Sequence, residues 1–359
     1  VLGLWIEQLV AESLGKNGEG ILPNIEIDSL LLTEDPGDRS IIMYQTQTDL
    51  WDERRNFEMS LAYIDPAIPR LNYRIDTVEE LAEHFVMWEY AIAMCGYLMG
   101  VCPFDQAEVL DILKNGQPEP DFTEVFTTDV DMGRVEVSFA PMFEGCEDLH
   151  EALYALLSSI QPGDFFALNA FLPFTGEGRR EAIEQIRHGV AESFGCVSCL
   201  EVGPRYLHST GQLQKGGPNM GVFLILSADE LKDISLPEGA SAPSLGELAK
   251  AQAAGDLVTL VKRGRRCVHL HLPDNSGVTL RQLAQVIDDV IADILTDRAL
   301  AEAAAMAEDE ELAEATVVVE AAEASETAVE AEFAEASQDA DAEAVAAEVA
   351  ATEGEASEA

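Results

Sequence analysis

Strands alternating with helices predict an α/β fold, in which a parallel sheet is covered on both faces by helices. Three observations carry that expectation. Short apolar runs at 164–172, 197–202, 222–226 and 266–272 have the length of buried strands. Between and after them, 178–194, 245–262 and 279–298 repeat apolar residues at helical spacing. A hydrophobic content of 47% over 359 residues is enough for a sizeable core and for two domains. In such folds ligands bind at the C-terminal ends of the strands.

The elements follow in order. Leu2, Trp5, Ile6, Leu9 and Val10 share one face of a helix over 2–14. The glycine-rich stretch Gly15-Lys16-Asn17-Gly18-Glu19-Gly20 reads as a loop. Two strands are expected at 40–44 and 71–75. Thr77-Val78-Glu79-Glu80 has the form of a capping box opening a helix over 78–99. That helix is apolar around much of its circumference and is expected to be buried. A second helix is expected near Asp105, after Pro103. Residues 115–147 are rich in Pro, Asp, Glu and Gly and read as a linker or irregular insertion. The long segment 203–219 reads as a loop. From Ala299 onward there are 19 Asp and Glu and no Lys or Arg. With high helix propensity but no sustained apolar stripe to dock it, this tail is expected to be disordered or a transient solvated helix, with an acidic interaction arm as the alternative. The organisation read from the chain is 1–114, a linker 115–147, a second unit 148–298, and the acidic tail 299–359.

Composition narrows the function. A net charge of −46 argues against a nucleic-acid partner. Without the tail the balance is still about −27, so a site for an anionic ligand has to be locally electropositive. No run of 18 uncharged apolar residues occurs, so no membrane-spanning helix is expected, and a cytoplasmic location is. The six cysteines do not form a dense disulfide framework. Cys196-Val-Ser-Cys199 lacks a second ligand pair for zinc and sits at a strand, so these thiols read as structural. The chain starts at Val1 as if in the middle of a fold, and a preceding part is expected.

Three segments carry the chemistry. The first runs Ala11-Glu12-Ser13-Leu14-Gly15-Lys16-Asn17-Gly18-Glu19-Gly20-Ile21-Leu22-Pro23, a carboxylate leading into a loop with a lysine. The second is Gly96-Tyr97-Leu98-Met99-Gly100-Val101-Cys102-Pro103-Phe104-Asp105-Gln106. The third is Gly203-Pro204-Arg205-Tyr206-Leu207-His208-Ser209-Thr210-Gly211-Gln212-Leu213-Gln214-Lys215-Gly216-Gly217-Pro218-Asn219. Polar loops between buried strands often carry function. Taken from the residues alone, Glu12 fits either an exposed helix end or a proton acceptor, and His208 either a structural imidazole or a proton shuttle. Together the segments point to acid–base chemistry on a small polar or anionic ligand.

All three segments resemble the glucose-6-phosphate isomerase family, in the order of its transaldolase-fused form. The first is similar to the family's E-S-x-G-K-x-G-x-G-I-x-P loop and the second to G-Y-L-x-G-V-x-P-F-D-Q. The third is similar to R-Y-L-H-S-T-G-Q-L-x-K-G-G-P-N. The resemblance covers residues 1 to about 298. It implies a sugar-isomerase (SIS) fold of two flavodoxin-like subdomains, the first incomplete here because most of it would precede Val1. It implies interconversion of glucose 6-phosphate and fructose 6-phosphate through a cis-enediol, with a sugar phosphate as ligand and with no metal or other cofactor. A homodimer, the missing N-terminal subdomain and a transaldolase domain are the partners it suggests. A non-catalytic phosphosugar-binding module, or a parent protein acting mainly as a transaldolase, is the alternative.

The resemblance also assigns roles. Glu12 matches the family's proton-transferring base, and a weakly acidic C–H proton requires such a positioned carboxylate. His208 matches the histidine that assists ring opening. Glu7 lies nearby but does not match the motif and reads as structural. One departure concerns the signature's later lysine: Leu113 stands in its place and Lys114 follows. One helical residue turns a side chain by about 100°, so Lys114 reaches the site only if the helix start shifts. Gln214 stands where the fused form often carries His.

Overall fold

The computed structural model describes residues 2–25, 38–46, 64, 66–105, 124–173, 176, 178–307 and 327. The chain divides into two units, Val1–Ile294 and Leu295–Ala359.

The first unit is α/β. Its main sheet has six strands: β3 (Glu124–Val130), β4 (Gly133–Phe139), β5 (Phe165–Phe171), β6 (Val197–Val202), β7 (Gly221–Ala228) and β8 (Arg266–Leu272). Their order is β3-β4-β8-β7-β5-β6. β8, β7, β5 and β6 run parallel, while β4 pairs antiparallel with both β3 and β8. A separate parallel pair joins β1 (Ile41–Gln45) to β2 (Arg70–Arg74). The helices are α1 (Leu2–Leu14), α2 (Val78–Met99), α3 (Leu149–Ser158), α4 (Arg179–Phe194), α5 (Thr210–Gly216) and α6 (Leu245–Lys262). A further helix, α7, starts at 277 and is helical to the end of this unit.

Sequence chemistry sets the boundaries. Asp148 caps α3 by accepting from Glu151 N at 2.8 Å, and Ser244 caps α6 by accepting from Glu247 N at 3.2 Å. Thr77 and Glu80 form the expected capping box of α2, which ends at Gly100 with φ of 72°. β7 is buried along its whole length and β5 along nearly all of it, so both read as continuous apolar runs. The core unites Phe139, Phe166 and Phe223 with Leu153 of α3, Ile186 of α4, Leu260 of α6 and Leu283 of α7. Each such side chain contributes about 1.5–3 kcal/mol on burial.

Three expectations change. In place of a linker or irregular insertion over 115–147, residues 124–139 form a two-stranded hairpin that pairs with β8. Val135, Val137 and Phe139 alternate into the core, and Gly133 with φ of 111° makes the turn. Composition hid a period-two pattern. The segment 203–219, read as a loop, holds a 3-10 turn, Arg205–His208, and the helix α5. Helix α2 is not buried as its composition suggests: only Ile92 and Gly96 are, and Tyr90, Tyr97 and Leu98 are 70%, 86% and 78% exposed. It packs one side against α1 through Ile92 beside Val10 and Leu14. The expected helix after Asp105, with Leu113 and Lys114, lies outside the described residues.

In the second unit residues 295–307 are helical. The reading of the acidic tail as disordered falls almost wholly outside the described residues. No helix among those described is long and apolar enough to cross a membrane.

Candidate functional site

The three motif segments, distant in sequence, meet on one side of the first unit. Helix α1, which carries Glu12, packs against the 3-10 turn that carries His208 and against α5. That turn follows directly from the C-terminal end of β6, where a parallel sheet presents its binding edge. The glutamate loop is stitched to the same segment. Gln212 Nε2 donates to the Gly15 carbonyl at 3.0 Å, and Gly18 N donates to the Gly216 carbonyl at 2.8 Å. Gly15 has to be glycine for a steric reason, since a Cβ there would collide with the Leu213 backbone.

The second segment arrives through Lys16. Its ammonium, nearly buried, donates to the Cys102 carbonyl at 2.9 Å and to the Asp105 carbonyl at 2.6 Å, and pairs with Asp105 Oδ1 at 2.8 Å. The loop lysine therefore ties two motifs together. Asn17 and Gly18, both in the left-handed region, turn the chain beyond it.

Glu12 is half-buried and accepts from Gln8 Nε2 at 3.2 Å, one helical turn earlier. His208 is exposed. Glu12 and His208 thus stand on adjoining elements. Lys114 lies outside the described residues.

Beneath this surface is a polar layer that sequence reading did not anticipate. Arg205 Nη1 donates to Glu7 Oε1 at 2.9 Å, and Ser209 Oγ donates to the same oxygen at 3.2 Å. Glu7, read from sequence as structural, joins α1 to the histidine turn. Glu201, near the end of β6, is buried with it, and its Oε2 has no partner among the described residues. Burial pushes the Glu201 carboxyl up to about 8; the charge of Glu7 adds to this, while Thr210 and Arg205 act the other way. The available sequence signal was a carboxylate among apolar strand residues, in Val-Ser-Cys-Leu-Glu-Val.

Deeper still, Tyr206 Oη donates to Asp256 Oδ2 at 2.5 Å and Lys215 pairs with Asp256 Oδ1 at 2.5 Å. Burial and the Asp256 charge raise the Tyr206 phenol well above its usual range. Arg265 Nη2 donates to the carbonyls of Lys215 and Gly217 at 2.9 and 2.6 Å. Gln214 and Asn169 exchange hydrogen bonds at 2.8 and 3.1 Å. Gln214 is therefore engaged inside the protein, so at this position the amide serves packing.

A second cluster joins β7 to β8. Ser227 Oγ lies 2.7 Å from His269 Nε2 and 2.8 Å from His271 Nδ1, and His271 Nε2 lies 3.1 Å from Asp229 Oδ1. Burial lowers His269 to about 3, helped by His271 and Lys250, so it is neutral. Ser227 Oγ thus bridges the two imidazoles, and Asp229 faces the outer nitrogen of His271. Serine, histidine and aspartate here resemble a hydrolytic triad in composition only, because Ser227 is buried within its strand. No group of three metal-ligating side chains occurs among the described residues. The cysteines are free thiols; burial pushes Cys196 up to about 11, which suits an inert role.

No family model matches the chain. Among solved structures, a hypothetical protein from Thermus thermophilus aligns over 82% of this chain and 75% of its own, at 15% identity and a TM-score of 0.36. Glucose-6-phosphate isomerases from two strains of Leptospira biflexa serovar Patoc, Patoc 1 / Ames and Patoc 1 / ATCC 23582 / Paris, are each 27% identical over 145 residues. The alignment takes in 31% of this chain, which spans about a third (32%) of the length of these curated relatives. Over that stretch the chain is distantly similar to glucose-6-phosphate isomerases.

Proposed function

We propose that this chain is part of an aldose–ketose isomerase that interconverts glucose 6-phosphate and fructose 6-phosphate. The observation that carries the reading is the docking of the glutamate helix and its loop onto the histidine turn. Residues about two hundred positions apart are joined by Glu7–Arg205 and Gln212–Gly15. The reaction opens the sugar ring, removes a proton from C2 and returns it to C1 through a cis-enediol. Glu12 is the base for that transfer, and His208 moves the proton of the ring-opening step; an imidazole serves both directions near neutral pH. Lys114 is the candidate cationic helper, since the Arg205 guanidinium is already paired with Glu7. The SIS architecture, the transaldolase fusion, dimerisation and a cytoplasmic setting belong to the same proposal.

The test is a coupled assay on the full-length protein. Glu12→Gln lowers kcat by about 10²–10⁴-fold, the range for losing a general base. Turnover at the wild-type rate in that variant refutes the base assignment. One observation favours a second reading, a phosphosugar-binding module without catalysis: Leu113 occupies the family's lysine position. Sugar-phosphate binding without turnover, unrestored by Leu113→Lys, would select it.

A further inference from the structure

The isomerase reading uses Glu12 and His208 and leaves a buried group of charges unexplained. Glu7, Arg205 and Ser209 join at one carboxylate oxygen; the buried Glu201, within reach of the charges of Glu7 and Arg205, has an oxygen with no partner among the described residues. Two carboxyl groups and one guanidinium occupy the space between α1 and the end of β6. Both carboxyl side chains are nearly inaccessible to solvent. A single cation cannot balance two ionised carboxylates there, so the state of the second decides whether the first pair holds.

Geometry connects this group to the proposed catalytic pair. Arg205 and His208 open and close one 3-10 turn, where side chains three residues apart eclipse. Glu7 and Glu12 are on the same helix. The Glu7–Arg205 contact therefore sets the separation of α1 from the turn that bears the imidazole. We propose that Glu7, Arg205 and Ser209 form a positioning clamp between the glutamate helix and the histidine turn, and that ionisation of Glu201 beside them releases it.

Glu201 is faced by Glu7 from α1, Arg205 and Tyr206 from the turn, Thr210 from α5, and Asn169 across the strand pair. Among these, Arg205 alone is cationic. With Glu201 neutral, Arg205 is committed to Glu7. With Glu201 charged, the guanidinium is shared and the two carboxylates repel. Because burial holds the carboxyl near 8, release falls on the alkaline side of neutrality. None of these groups touches the reacting carbons; they act through the placement of Glu12 and His208.

The kinetic arm rests on the isomerase reading. In the full-length protein, kcat for fructose 6-phosphate falls as pH rises past about 8, and Glu201→Gln removes that limb. Glu7→Gln lowers kcat about tenfold with KM changed less than about twofold, as expected for lost orientation, and Arg205→Lys restores less than the native pair. An unchanged alkaline limb in Glu201→Gln overturns the proposal. A second arm needs no activity: hydrogen exchange of the α1 amides at pH 7 and 9, corrected for the intrinsic pH effect. Wild type loses protection at pH 9 and Glu201→Gln does not. Absent turnover with this exchange pattern refutes the isomerase reading and keeps the clamp; equal protection at both pH values in wild type refutes the clamp.

Discussion

Glu201 shows how one side chain makes stability depend on pH. Its ordinary carboxyl value is 4.5, and burial raises it to about 8. Between those values the folded chain retains a proton that the unfolded chain has released. Stability therefore falls as pH rises from about 4.5 to about 8 and levels off beyond. Glu201→Gln cannot titrate, so its stability relative to wild type increases across that window. Denaturant unfolding at pH 5 and pH 8 measures this; an identical difference at both would show that the group is solvated. The sequence displayed this residue as a carboxylate in a strand pattern, and strand periodicity cannot say which neighbours it meets. Glu7 makes the same point: it belongs to no recognised motif, and its role as an anchor depends on Arg205, 198 positions away.

Elements explain what was legible and what was hidden. Helices and strands with an apolar period or a capping signal were readable in extent: α1 and α2 as expected, though α2 is more exposed than its composition suggests, and β5 to β8 within a residue or two. The hairpin β3–β4 was not, because its Gly, Asp and Glu content argued for a linker. Its alternation of Val135, Val137 and Phe139 gained meaning only beside β8. Helix α5 was hidden by glycines, which disfavour helix when taken alone; here it is seven residues long and buried throughout, so packing overrides propensity. Two glycines separate these influences. Gly15 lies against Leu213 and the Ala11 carbonyl, so Gly15→Ala forces α1 from α5 and costs about 1–3 kcal/mol. Gly255, within α6, has open space around a new Cβ, so Gly255→Ala stabilises by about 0.5–1 kcal/mol through helix propensity. Urea midpoints of the two variants move in opposite directions; a shared direction would refute the close docking of the loop.

At the scale of the molecule, charge dominates. A net charge of −46 places strong self-repulsion on the folded state. Removing residues 299–359 leaves about −27. Added salt screens repulsion over about 10 Å at 0.1 M. Full-length protein accordingly gains thermal stability between low salt and about 0.2 M, and a chain ending at 298 gains less. Differential scanning calorimetry at the two salt levels decides it, and a larger gain in the shortened chain would contradict the view of the tail as a source of repulsion. Overall composition foretold this property, whereas the site depended on contacts between remote segments.

The hairpin has a consequence for how the protein is made. Strand β4 emerges from the ribosome more than a hundred residues before β8, the strand it joins in the main sheet. Helix α1 waits in the same way for the turn at Arg205. Both pieces remain without their final neighbours until more than a hundred further residues are made, and such long-range closures fold slowly. A nascent chain arrested before residue 266 should keep the hairpin accessible to protease, and one arrested well beyond 294 should protect it. Completion of the candidate site is thereby tied to translation of the segments from Arg205 onward.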